Sequence, residues 1–125
     1  MILVDASIWI EFFRQNPDYT NEVTLLLESK MIVTIEPVFS ELIYGAKGEK
    51  EKNTLVAYWN VLPKVRFTEG SFIKSAEFAN SNNYQSSGIG LIDATLAMAT
   101  IQNDLKLWTL DKKLIGKLDQ KYFYK

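Results

Sequence analysis

The chain opens, from Met1 to Val4, with an uninterrupted apolar run of β-prone residues that stops at Asp5. An apolar run without alternation is the pattern of a strand buried on both faces, which a parallel sheet covered by helices provides. Directly after it, residues 6–15 place apolar side chains at helical spacing, so the strand feeds a helix. The same alternation recurs along the chain. Short β-branched or apolar runs at 31–35, 65–67 and 107–110 predict strands, and helical periodicity predicts helices over 21–28, 38–46, 53–61, 70–80 and 92–101. Pro37 suits the first turn of its helix, and the charged stretch 47–52 with Gly48 marks a break. Residues 80–90, rich in Asn, Ser and Gly, read as a loop. The 92–101 segment is so poor in charge that it predicts a helix buried on most of its circumference.

Strands separated by helices predict an α/β layer fold with a largely parallel central sheet flanked by helices, because parallel neighbours need crossovers of helical length. The length of 125 residues and the apolar fraction of 47% suit a single domain spanning 1–125. No apolar stretch reaches the roughly 20 residues that span a bilayer. The expectation is a soluble, cytoplasmic protein with no signal peptide and no membrane contact.

The chain contains neither cysteine nor histidine. That removes disulfides, thiolate zinc sites, cysteine nucleophiles, the usual general base and Ser-His-Asp arrangements. Catalysis, where present, runs on carboxylates, hydroxyls, lysines or hard metal ions. The formal charge of -1 argues against coating nucleic acid by bulk electrostatics, yet leaves room for an acidic site beside a local cationic patch.

Ligands of parallel α/β folds gather at the carboxyl ends of the strands. Four acids lie there: Asp5 after the first strand, Glu41 early in the helix after the second, Asp93 at the start of the buried helix, and Asp111 after the last strand. Each has an ordinary explanation as well. Asp5, Asp93 and Asp111 suit helix caps or turns, and Glu41 suits a solvated helix face. The apolar surroundings of Asp5 and Asp93 weigh against those explanations, because a buried carboxylate is costly unless paired or bound to metal. Converging carboxylates without histidine or cysteine favour Mg²⁺ or Mn²⁺, and two such ions about 4 Å apart suit phosphodiester hydrolysis. Ser7 and Thr109 stand where they can orient the acids; Ser40 reads as a surface hydroxyl.

At these residues the chain resembles the PIN-domain ribonucleases, and within them the VapC-type toxins of toxin–antitoxin pairs. Val4-Asp5-Ala6-Ser7 looks like the opening strand and first acid. Ser40-Glu41-Leu42 with Tyr44-Gly45-Ala46 resembles the second motif, Gly90-Leu91-Ile92-Asp93-Ala94 the third, and Thr109-Leu110-Asp111 the fourth. The match runs in order from residue 1 to about residue 115. The resemblance implies a three-layer PIN-like fold in which Asp5, Glu41, Asp93 and Asp111 coordinate Mg²⁺ or Mn²⁺ and metal-activated water cleaves RNA. It also implies an antitoxin partner and a homodimer, for which Trp9, Phe12 and Phe13 offer a surface as readily as they offer core packing. Leu114 stands where such toxins often carry an aromatic residue, and Tyr122 to Tyr124 match nothing in the pattern.

For contact with RNA phosphates the candidates are Arg14, Lys47, Lys50, Lys112 and Lys113, each near a motif end; the run 47–52 reads equally as a solvated face. Two other functions compete. A phosphoacceptor receiver domain requires adjacent acids after the first strand, where Asp5-Ala6 stands, and an Asp at the end of the middle strand, where Phe67 and Thr68 stand. A non-catalytic member of the same fold, binding RNA or protein, would keep its affinity when the acids are replaced.

Overall fold

A computed structural model describes all residues, 1–125. Three parallel strands, β1 (Ile2–Val4), β2 (Ile32–Val33) and β3 (Lys106–Trp108), form a sheet in the order β2-β1-β3. The register pairs Ile2 with Ile32 on one side and with Lys106 on the other. Seven α-helices connect and cover the strands: α1 (Ala6–Phe13), α2 (Pro17–Glu28), α3 (Glu36–Tyr44), α4 (Glu49–Val61), α5 (Ser71–Ser81), α6 (Leu91–Gln102) and α7 (Lys112–Ile115). The pairs α1 with α2, α3 with α4, and α5 with α6 pack against each other. No helix is long and apolar enough to cross a membrane.

Every residue of β1 is buried, as its unbroken apolar run requires of a central strand. The core is one cluster of 27 buried residues that joins all three strands to helices α1, α2, α3, α4, α6 and α7. Trp9 sits fully buried in it, with its ring 5.8 Å from Phe12 and 5.5 Å from Phe39. It is therefore a core residue, while Phe12 and Phe13 remain partly buried beside it. Helix α6 buries Ala94, Thr95, Leu96, Ala97, Ala99 and Thr100, matching its expected interior position. Its buried hydroxyls are satisfied within the helix: Thr95 donates to the Leu91 carbonyl at 2.8 Å and Thr100 to the Leu96 carbonyl at 2.7 Å.

Several boundaries differ from the sequence reading. Helix α2 starts at Pro17 rather than residue 21 because the Asn16 side chain caps it by accepting from the Asp18 amide at 3.0 Å. The break before α4 ends at Gly48, whose φ of +87° suits glycine. Glu49 and Glu51 then occupy the first helical turn, where negative charge is favoured. The strand expected at 65–67 is reduced to one parallel bridge between Thr34 and Lys64, in which the Thr34 amide donates to the Pro63 carbonyl and the Val65 amide donates back to the Thr34 carbonyl. Strand β3 stops at Trp108 instead of continuing to 110.

The end of the chain finds a role on the opposite edge. Phe123 is buried and bridges in parallel to Leu107, and the Tyr124 amide donates to the Leu107 carbonyl at 2.9 Å. Leu114, in place of an aromatic, is fully buried in the core.

Candidate active site

The carboxyl ends of the strands carry the predicted acids. Asp5 follows β1 directly, and its amide donates to the Trp108 carbonyl at 3.0 Å, so the backbone at Asp5 is tied to β3. Its side chain caps α1 through the Ala6 amide, at 2.7 Å to Oδ1, and is almost fully buried at 7% exposure. The other oxygen, Oδ2, accepts from two hydroxyls: Ser7 Oγ at 2.9 Å and Thr109 Oγ1 at 2.7 Å. Each hydroxyl in turn accepts from the segment after β3, Ser7 from the Leu110 amide at 3.1 Å and Thr109 from the Asp111 amide at 3.0 Å. Ser7 and Thr109 therefore fix both the Asp5 carboxyl group and the backbone that presents Asp111.

Asp111 caps α7, accepting with Oδ1 from the amides of Lys113 and Leu114 at 2.9 and 3.2 Å. The capping explanation holds for Asp5 and Asp111, but it occupies only part of each carboxyl group. Asp93 lies in the first turn of α6, whose N-cap residue, Gly90, offers no side-chain cap, so capping does not explain it.

The electrostatics join all four acids. Burial raises the Asp93 carboxyl from an ordinary 3.8 to about 7, helped by the Asp111 carboxylate within hydrogen-bonding reach and by the charges of Asp5, Asp111 and Glu41. Burial, then the charge of Asp5, also raises Glu41. Four acids from four separate segments thus share one field, with no acid's charge neutralised by a salt bridge. As the side chains stand, no three of the carboxyl groups meet around one point at metal-ligand distance. The donor set itself, hard oxygens in a negative field, fits Mg²⁺ or Mn²⁺.

The cationic candidates divide into two groups. Arg14, Lys47 and Lys50 line a cavity of about 680 Å³ with Ile10, Phe13 and Leu42, between α1, α3 and α4. None of the four acids borders it. Lys112 and Lys113 instead sit in the turn that Asp111 caps. Ser40 is exposed. Glu41 also borders a shallow groove of about 410 Å³ whose apolar wall includes Tyr44, Phe67 and Phe72, an aromatic cluster that spacing along the sequence does not reveal.

The fold and site are those of a parallel α/β sheet with a buried, hydroxyl-clamped Asp at the end of its central strand, sharing one field with acids from α3, α6 and the β3–α7 junction. The family model of the PIN domain matches residues 2–120. The chain belongs to the PIN domain family. It is 33% identical over 79 residues to VapC ribonuclease Mb1587 of Mycobacterium bovis, and equally to ribonuclease VapC11 of Mycobacterium tuberculosis. Each match covers 61% of this chain and 59% of the relative. The fold is similar to that in the crystal structure of VapBC2 from Rickettsia felis bound to a promoter DNA fragment, with a TM-score of 0.73, 21% identity and coverage of 98% and 96% of the two chains. VapBC-1 from nontypeable Haemophilus influenzae gives a TM-score of 0.68 at 21% identity, covering 94% and 92%.

Proposed function

We propose that this chain is an endoribonuclease, the toxin of a toxin–antitoxin pair, that hydrolyses RNA phosphodiester bonds at Asp5, Glu41, Asp93 and Asp111. The observation that carries the reading is the convergence of the four acids at the carboxyl ends of the strands, with Asp5 and Asp111 tied together through Thr109 and Asp93 and Glu41 close enough for the charges to form one negative field. Such a field is unfavourable to an unliganded fold and favourable to a divalent cation. The curated relatives are ribonucleases by name, which supports the same reaction here.

Asp5, Glu41, Asp93 and Asp111 are the residues that would hold Mg²⁺ or Mn²⁺, which supplies Lewis acidity towards a phosphodiester and an activated water. Ser7 and Thr109 keep Oδ2 of Asp5 occupied and leave Oδ1 with only the Ala6 amide, so one oxygen retains a lone pair outside the clamp. Asp93, half-shielded from water, is the acid that still holds a proton near neutral pH, so a cation bound there competes with that proton.

The partners follow from the surfaces. The cavity lined by Arg14, Lys47 and Lys50 over Ile10 and Phe13 suits an amphipathic segment bearing acidic groups, as an antitoxin would offer; the structural neighbours are VapBC proteins by name, which supports such a partner. The exposed Tyr44 and Phe72, at 95% and 40% exposure, line one groove with Phe67 and offer an apolar face to a second copy. Light scattering of the purified chain, alone and with Tyr44→Glu and Phe72→Glu replaced together, tests the homodimer: loss of the dimer in the variant supports this face.

The function is tested by incubating a mixed cellular RNA pool with the purified protein in EDTA, Mg²⁺ or Mn²⁺, beside the Asp93→Asn variant. Cleavage that requires both metal and Asp93 supports the reading; binding without cleavage under any metal favours a non-catalytic module.

A further inference from the structure

Beside the acid cluster lies a stretch without any charge: no charged side chain occurs between Glu77 and Asp93. Its loop is tightly built. The Tyr84 carbonyl accepts from the Ser87 and Ile89 amides at 3.1 and 3.0 Å, and the Gly88 amide donates to the Gln85 carbonyl at 2.9 Å. Tyr84 and Ile89 are buried anchors, with the Tyr84 ring 5.3 Å from Phe78, and the polar side chains between them are exposed to solvent. This hydrogen-bonded neutral loop leads directly into α6 and Asp93.

Two lysines from the segment after Asp111 lie against it. A side-chain carbon at Gly88, where φ is +76°, would meet Lys113 at 3.3 Å from Nζ, 3.4 Å from Cδ and 3.5 Å from Cε. The Lys113 stem is therefore laid along the glycine, and its backbone is held by Asp111, whose Oδ1 accepts from the Lys113 amide. Four positions on, the Lys117 ammonium stands 5.7 Å from the centre of the Tyr84 ring. Neither ammonium is paired with an acid. A lysine aligned on a neutral surface loses less conformational freedom when an anion arrives than a free one does.

We infer that Lys113 and Lys117, laid along the uncharged loop 82–88, form a ledge that carries the phosphate backbone of single-stranded RNA into the acid cluster. The inference rests on the nuclease reading for its destination, although the binding itself does not require catalysis. Phosphates approaching four carboxyl groups are repelled, and cations placed beside the cluster offset that repulsion locally while the net charge stays at -1. The ledge fixes where the strand lies and reads no base.

The test is the affinity of a labelled, mixed-sequence single-stranded RNA in EDTA, followed by fluorescence anisotropy across a salt series. The variant Lys113→Gln/Lys117→Gln should bind several-fold more weakly at low salt. Its plot of log K against the logarithm of salt concentration should be shallower by about 1.4, or about 0.7 for each phosphate that a lysine no longer neutralises. Gly88→Ala, which displaces Lys113 while keeping its charge, should weaken binding in the same direction; thermal melting separates this from misfolding. Lys52→Gln/Lys74→Gln is the control and should bind as the parent does. Parental affinity and slope in the Lys113/Lys117 variant overturn the ledge and assign these lysines to a protein partner or to solvation. Absence of RNA binding by the parent overturns it as well. Metal-dependent cleavage, measured separately, decides the nuclease reading: cleavage with an unaffected slope leaves the nuclease and removes the ledge, whereas a shifted slope without cleavage does the reverse.

Discussion

Thr109 donates its hydroxyl to Oδ2 of Asp5 across 2.7 Å, a bond between residues 104 positions apart. Through it the first and last strands of the sheet hold a single carboxyl group, and the same hydroxyl accepts from the Asp111 amide. One side chain thus sets the positions of two of the four acids.

Replacing Thr109 by Val keeps the shape and removes both hydrogen bonds. At a buried position this costs about 1–3 kcal/mol, because the Asp111 amide and one Asp5 acceptor are left without their partner. Urea unfolding should show that loss, and RNA cleavage should fall further than the folded fraction explains. Thr109→Ser, which keeps the hydroxyl, should restore most of both. Equal activity in the Val and Ser variants would remove Thr109 from the site.

The raised carboxyl of Asp93 gives a pH dependence with a definite sign. Its folded value of about 7 lies above its ordinary 3.8, so the folded state holds this proton more tightly than the unfolded state does. Its protonation favours the fold, and stability should decline as pH rises between about 4 and 7. In EDTA, the protein should melt at a lower temperature at about pH 8 than at about pH 5.5, and Asp93→Asn should flatten the difference. Mg²⁺ or Mn²⁺ should raise the melting temperature more at the higher pH, where the proton no longer competes. A metal effect independent of pH and of Asp93 would contradict this.

Glu22 acts with the opposite sign at lower pH. Burial pushes its carboxyl up, but hydrogen bonds from Lys125 and Tyr124 and the charge of Lys125 outweigh burial and leave it lowered from 4.5. Stability from Glu22 is therefore present above about pH 4.5 and lost as pH falls through the lowered value. The bonds are 2.6 Å from Tyr124 Oη and 2.6 Å from Lys125 Nζ, and they pin the end of the chain to α2. Tyr124→Phe should cost about 1 kcal/mol, whereas Phe123→Ala, which empties a buried ring position, should cost about 3 kcal/mol or more. Chemical denaturation distinguishes the two; equal small losses would mean that the end of the chain is merely laid on the surface.

The strand-to-acid pattern is legible in the sequence because it is local: an apolar run with no alternation ends at Asp5, and the buried face of α6 is written in its Ala, Leu and Thr residues. The hydroxyl clamp is half legible, since Ser7 and Thr109 stand next to acids in sequence, but their shared hold on one oxygen depends on the pairing of β1 with β3. The aromatic end at 122–124 carries no periodicity, so its place beside Leu107 follows only from the open edge of β3. The strand expected at 65–67 fails for the reverse reason: its residues are β-prone, but only Lys64 reaches the edge at Thr34. The approach of Lys113 to Gly88 has a sequence signal only in retrospect, in the uncharged stretch that precedes Asp93.

The proposed chemistry stands or falls on four acids acting together on RNA. The decisive quantity is the rate of RNA cleavage in Mn²⁺ and in EDTA for the parent, Asp5→Asn and Asp93→Asn proteins, each shown to be folded. The parent should cleave only with metal, and either variant should fall by at least about 100-fold, comparable to the removal of one transition-state charge stabiliser. Unchanged cleavage in the two variants, or cleavage undiminished by EDTA, would contradict the assignment.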